Sequence, residues 1–203
     1  CSKVVFAGLY WTGRASNSSS SPDTFNVTKG STTKNFNKRK VKLKGPTSSS
    51  YTEFTAGTND IFYPQTTDDY MYSAFAEITD YVKTNGLGEY TVADIALIEG
   101  NGGGTGYYGG WGIIVVYENS KMKWRDITVF DGHAFVAAST TSHQIPISGF
   151  NAVQTGQVNV KLGLMAGEGD RGIDGDYFNI RKVNNSWLPL SHTGNAVDNF
   201  FNS

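Results

Sequence analysis

The chain reads as an all-β protein, a β-sandwich of jelly-roll type with one short helix. Short apolar runs recur along it, separated by turn signals every 8–12 residues or so, as in sandwiches and jelly rolls. The composition agrees: aromatic residues make up 13%, charged residues only 17%, and glycine reaches 24 of 203 positions. Aromatic and β-branched side chains favour pleated, half-buried surfaces, while glycine and asparagine supply the turns. Only one segment carries a clear helical period.

Taken in order, residues 4–11 form an apolar run and predict a buried strand. Residues 15–35 are rich in Ser, Thr and Asn and predict a long exposed loop; Asn17-Ser18-Ser19 and Asn26-Val27-Thr28 match the glycosylation sequon there. Lys40-Val41-Lys42-Leu43-Lys44 alternates and predicts an outer strand with its lysines towards solvent, where they deter edge pairing. Residues 51–55 predict another strand, with Tyr51 and Phe54 inward. Tyr72, Phe75, Ala76, Ile78, Thr79 and Val82 recur at helical spacing, with Asp68 or Asp69 as cap and Asn85-Gly86 as stop. Strands follow at 89–98 and at 111–118. The second is apolar on both faces and predicts a central strand covered on both sides. Residues 124–130, 142–150, 156–166, 176–180 and 187–188 complete the expected set. No repeat and no linker divides the chain, so a single domain over 1–203 is expected.

Cys1 is the one cysteine, so no internal disulfide is available and the core alone must hold the fold. Its position admits an excised fragment of a longer surface protein, a lipoprotein cysteine or a plain free thiol. The strand-like run starting at Lys3 leaves little tether for a lipid and favours the fragment. No apolar stretch approaches the ~18 residues of a membrane span, so no membrane insertion is expected. Net charge is −1, but residues 1–50 hold nine Lys/Arg against Asp23 alone. The alternation at 40–44 makes this a solvated strand face, and no nucleic-acid partner is expected.

No Gly-x-Ser-x-Gly elbow is present to expose a nucleophile, and His133, His143 and His192 lie in no recognisable catalytic signature. No catalytic residues are assigned. Gly104, Gly106 and Gly109 match a dinucleotide fingerprint in spacing, but a strand follows them instead of the helix whose N-terminus would hold pyrophosphate. The same loop bears Tyr107, Tyr108 and Trp111. Aromatic faces on a glycine-rich loop can stack on sugar rings or on a partner, and can equally fill a core; these three are the ligand-binding candidates. The run from Glu168 to Asp176 places Glu168, Asp170, Asp174 and Asp176 among three glycines. Oxygen ligands on a turning loop suit Ca²⁺, although the spacing is not that of an EF-hand and Arg171 offers a neutralising charge. A turn stabilised by Asp side chains is the other reading.

Several runs together resemble one family. Residues 5–13 (Val5-Phe6-Ala7-Gly8-Leu9-Tyr10-Trp11-Thr12-Gly13), the helix end Glu77-Ile78-Thr79-Asp80-Tyr81-Val82 and the strand beginning Gly110-Trp111-Gly112 carry part of the likeness. Thr128-Val129-Phe130-Asp131-Gly132, Glu168-Gly169-Asp170 with Gly175-Asp176, and the closing Asn199-Phe200-Phe201-Asn202-Ser203 carry the rest. In this order they are similar to an adhesin-like domain of large, repeat-bearing bacterial surface proteins, including type IX-secreted adhesins of gliding Bacteroidota. The resemblance implies an extracellular, cell-surface location, a β architecture and membership of a longer polypeptide; it supplies no catalytic residues. The expected function is therefore an adhesin module, not an enzyme, that binds a glycan, a surface polymer or a protein partner. The rivals are a carbohydrate-binding module of a secreted polysaccharide-degrading enzyme and a purely structural filament or stalk domain.

Overall fold

The apolar run near the start becomes β1, Ser2–Arg14, the strand around which the first sheet is built. Ala7, Leu9 and Trp11 alternate inward and are fully buried. β1 is flanked on one side by β7 (Met71–Glu77) and on the other by β9 (Gly109–Asn119), both antiparallel. The sheet order is β6-β7-β1-β9, with β6 spanning Ile61–Phe62. The register of β1 on β9 shifts between Val4 and Phe6, a bulge that bends the start of the strand.

This computed structural model describes residues 2–16, 21–64, 70–103, 105–137 and 140–202. Over them the protein is all-β with one short helix: eleven strands and α1, Thr79–Asn85. A second sheet, β5-β4-β8, is made of β4 (Lys40–Lys44), β5 (Thr52–Thr55) and β8 (Thr91–Ala93). Val41 and Leu43 of β4 meet Leu9, Trp11, Tyr72 and Ala74 of the first sheet in one core, which Val82 of α1 also joins. Two antiparallel sheets facing each other across side chains that alternate inward make the sandwich. The ring N–H of Trp11 donates to the Lys38 carbonyl at 2.9 Å, so its burial leaves no orphaned donor. Lys38 is itself fully buried, its ammonium 5.5 Å from the ring centres of both Tyr63 and Tyr72.

The chain gathers into two compact units, Cys1–Leu162 and Gly163–Ser203. The second contains the hairpin of β10 (Asn179–Arg181) and β11 (Trp187–Pro189).

Several expectations are corrected. The helix is shorter than residues 68–85: β7 occupies its first half, and Asp68 and Asp69 lie outside the described residues. Tyr72, Ala74, Ala76 and Ile78 also repeat at period two, and seven residue pairs with β1 select that period. The loop over 15–35 contains a hairpin, β2 (Thr24–Lys29) with β3 (Thr32–Asn37), turned at Gly30 with φ +60°. The Asn17 sequon lies outside the described residues. β4 is the middle strand of its sheet, not an outer one. Tyr51 is exposed, while Phe54 packs on the core as expected. β9 lies at a sheet edge, with Trp111, Ile114, Val115 and Tyr117 exposed, so it is neither central nor covered on both sides. Residues 124–130, 142–150 and 156–166 form no strand among the described residues, and the expected strand over 89–98 contracts to Thr91–Ala93.

Candidate functional site

The glycine-rich loop is held by an arginine that sequence reasoning did not connect with it. Arg14, at the end of β1, is almost fully buried. Its Nη1 donates to the carbonyls of Gly102 at 2.7 Å and Gly106 at 2.9 Å, and its backbone N–H donates to the Tyr108 carbonyl at 2.9 Å. Its guanidinium lies 5.3 Å from the Tyr107 ring centre and 5.6 Å from that of Tyr70. The loop turns through positive φ at Gly102, Gly103 and Gly106, a conformation that glycine adopts without a Cβ penalty. A Cβ on Gly102 would also meet Arg14 Nη1 at 2.8 Å. The three aromatic candidates thus differ. Tyr107 covers the arginine, Tyr108 is half-buried, and Trp111 stands 41% exposed on β9, opposite Trp11 in the register.

The lysines of the basic stretch converge with acids far away in sequence. Lys34, Asn35, Phe36 and Asn37 of β3, Lys40, Val41 and Lys42 of β4, Glu53 and Asp94 line a cleft of about 310 Å³. Lys42 Nζ lies 2.8 Å from Asp94 Oδ2, Lys34 Nζ 3.9 Å from Asp94 Oδ1, and Lys40 Nζ 2.8 Å from Glu53 Oε1. The hydrogen bond and charge of Lys42 hold the Asp94 carboxyl below its ordinary range. Asp94 also adopts φ +59°, a left-handed conformation that turns the chain as it leaves β8. Lys34 reaches over the Phe36 ring at 4.8 Å, and Phe36 stacks on Phe25 at 5.5 Å. Three ammonium groups, two carboxylates, two amides and one ring edge therefore share a wall of paired strands. Such a mixture can hydrogen-bond vicinal hydroxyls and offer one spare positive charge. The alternation at 40–44 showed which way the lysines face; it held no signal for Glu53 and Asp94.

The acidic run lies in the C-terminal unit. Glu168 has φ +68°, and its carboxyl is pushed up by burial and then by the charge of Asp170. Asp176 Oδ1 accepts from the Phe201 N–H at 2.8 Å, and the Gly175 N–H donates to the Asp198 carbonyl at 2.6 Å. Asn199 reaches into the loop, where Nδ2 lies 3.2 Å from the Arg171 carbonyl and 3.3 Å from Asp174 Oδ1. Asn199 is 6% exposed and its Oδ1 has no hydrogen-bond partner. A buried acceptor left unmade costs about 1–3 kcal/mol. Among the described residues no three His, Cys, Asp or Glu side chains gather closely enough to hold a metal. Glu168, Asp170, Asp174 and Asp176 are therefore not one convergent carboxylate set. The sequence pointed to the loop, but not to Asn199, which arrives from 23 or more residues away.

A fourth cluster joins strands to the Asp131-Gly132 turn. Ser73 Oγ and His133 Nδ1 are 2.6 Å apart, while His133 Nε2 is buried without a partner. Burial holds the imidazole below its ordinary value and so favours the neutral ring. The Asp131 carboxyl is pushed up by burial and further by Asp60, and Tyr10 is raised by burial and by Asp131. A serine hydrogen-bonded to a neutral histidine is one part of a nucleophilic site; an acid orienting the second ring nitrogen is another. Here that nitrogen meets no acid among the described residues. In sequence, Ser73 and His133 share no motif.

No family model matches this chain, and no curated protein or solved structure matches it.

Proposed function

We propose that the chain is a ligand-binding adhesion module of a bacterial cell-surface protein, with a glycan or surface polymer as its ligand. The cleft between β3 and β4 carries this reading, because its lysines, carboxylates and amides are fixed on paired strands around a space of about 310 Å³. That volume suits one sugar-sized group, and rigid strands hold donors and acceptors with little ordering cost on binding. The surface location rests on the resemblance of the ordered sequence runs.

The test is binding of the 203-residue chain to an array of neutral and acidic glycans. Lys34→Ala removes the least tightly paired ammonium of the cleft and should weaken binding about tenfold, the usual scale of one charge-assisted hydrogen bond. Binding that is unchanged in both Lys34→Ala and Asn35→Ala would remove the cleft from consideration. Turnover of any substrate that is lost in His133→Ala would overturn the non-enzymatic reading. Trp111, exposed on an edge strand, favours a second reading, a carbohydrate-binding module of a polysaccharide-degrading enzyme. Glycan binding lost in Trp111→Ala but retained in Lys34→Ala would select it. A chain that binds no glycan or surface polymer would leave the stalk reading.

A further inference from the structure

We propose that the cleft between β3 and β4 recognises a hydroxyl-bearing polyanion, a polysaccharide with repeated carboxylate or sulfate groups, with Lys34 as the anion-binding residue and Glu53 and Asp94 as hydroxyl acceptors. The assignment rests on the cleft being a glycan site and names the class of glycan.

The positive charge is laid out along a strand. Val41 and Leu43 are buried in the core, so Lys40, Lys42 and Lys44 share the opposite face of β4. Alternate residues of a strand stand roughly 7 Å apart, and the three amines therefore form a row. Glu53 lies opposite Lys42 across β4 and β5, and Asp94 follows Ala93, the partner of Lys42 on β8. Lys34 comes in from β3, beside Asp94. Around the cleft and its flank, four ammonium groups thus meet two carboxylates, a surplus of two positive charges.

That surplus sits on particular residues. Lys40 and Lys42 each hold a carboxylate oxygen at 2.8 Å. Lys34 stands 3.9 Å from Asp94, which is bonded more closely to Lys42, and its side chain is 62% exposed. Lys44 lies over the Tyr51 ring at 5.5 Å and has no carboxylate partner among the described residues. An incoming anion can therefore take Lys34 without breaking a short ion pair. A single small anion gains little from one exposed amine, because isolated surface ion pairs are weak. A polymer gains from the row, since each further anion meets its lysine at high effective concentration once the first is held.

The carboxylates select among polyanions. Set between the lysines, Glu53 and Asp94 repel the dense phosphates of a duplex, which carries one charge per about 1.7 Å. They accept hydrogen bonds from hydroxyls, which a sugar polymer presents between its acidic groups. Phe36 already stacks on Phe25 at 5.5 Å and lies under the Lys34 amine at 4.8 Å, so this ring of the cleft is not open for a base to stack on.

The experiment titrates the whole chain with polygalacturonate, dextran sulfate, plain dextran and duplex DNA, by calorimetry in about 50 to 200 mM sodium chloride. At least one acidic polysaccharide should bind, with an affinity that falls as salt rises, because binding releases counterions. The tighter of the two identifies carboxylate or sulfate as the preferred group. Plain dextran should bind about tenfold more weakly or less, the scale of one lost charge-assisted hydrogen bond. Lys34→Gln should weaken acidic binding about tenfold and flatten its salt dependence at an unchanged melting temperature, while Lys34→Arg retains both. Lys29→Gln is the control for overall charge: Lys29 pairs with Glu99 and does not line the cleft, so its loss should change affinity little. Equal losses in Lys34→Gln and Lys29→Gln would overturn the proposal, since binding would then follow total charge. DNA bound more tightly than either acidic polysaccharide would overturn it in favour of a nucleic acid. A chain that binds neutral glycans on an array but neither acidic polymer would overturn this assignment alone. A chain that binds no glycan at all would overturn the glycan reading with it.

Discussion

Trp11 shows how much one side chain settles. It is fully buried between the two sheets, and its ring N–H is satisfied by the Lys38 carbonyl. Trp11→Ala leaves a cavity and an unpaired carbonyl, and should cost about 3–5 kcal/mol, measured by chemical denaturation. His133 governs a different quantity. Burial lowers its folded-state value below the ordinary 6.5, so the unfolded chain takes up the proton first as pH falls. Its contribution is therefore fully present above about pH 6.5 and is lost as pH falls through the folded-state value. Denaturation curves from about pH 7 to 5 should show that decline, and His133→Gln should flatten it. Asp131, raised by burial, acts with the opposite sign: its contribution is present below about pH 3.8 and is lost as pH rises through its folded-state value. The burial of Trp11 was legible in the apolar run of residues 4–11. The environment of His133 was not, because Ser73 reaches it from β7, 60 positions away in the chain.

At the scale of elements, local period and tertiary pairing compete. Tyr72, Phe75, Ala76 and Ile78 fit a helix, yet β1 offers seven antiparallel partners and the segment becomes β7. The helix survives only as α1, where Thr79 Oγ1 accepts from the Ala7 N–H at 3.0 Å and donates to Glu77 Oε1 at 2.7 Å. The glycine-rich loop teaches a related lesson. Its composition marks a turn, but Arg14 gives it one conformation by bonding two of its carbonyls. Arg14→Lys removes the guanidinium whose Nη1 bonds both carbonyls and which lies near the Tyr70 and Tyr107 rings. Amide exchange over residues 100–108 should quicken by about tenfold or more, a loss of one to two hydrogen bonds' worth of local protection. Exchange in β1 and β7 should remain slow, since their ladder does not depend on this loop.

Over the whole molecule, apolar exposure stands out in the strandless stretch of the first unit that follows β9. Ile145 is 58% exposed, Val158 51%, Val160 71% and Leu162 51%. Scattered exposed apolar residues are ordinary, but alternating ones on an unpaired segment make a surface that other chains or dyes can cover. Net charge of −1 supplies little repulsion against that. Sedimentation near neutral pH should therefore show self-association that rises with concentration, and Val158→Thr with Val160→Thr should reduce it along with dye binding. A monomer at all concentrations with no dye binding would refute the expectation.

By itself the sequence determined the β class, the burial of Ala7, Leu9 and Trp11 (though not of Val5, which is exposed), the inward faces of Val41 and Leu43, and the acidic loop as a place of interest. These depend on short-range pattern: alternation places side chains on one face of a strand, and clustered Asp and Gly residues make a turn wherever they occur. Only the tertiary structure decided that β9 is an edge, that β4 is central, that Arg14 grips the glycine loop, and that Asn199 enters the acidic one. Each of these is a pairing between segments distant in the chain, and a periodic pattern records which face a residue takes but not which segment it will meet.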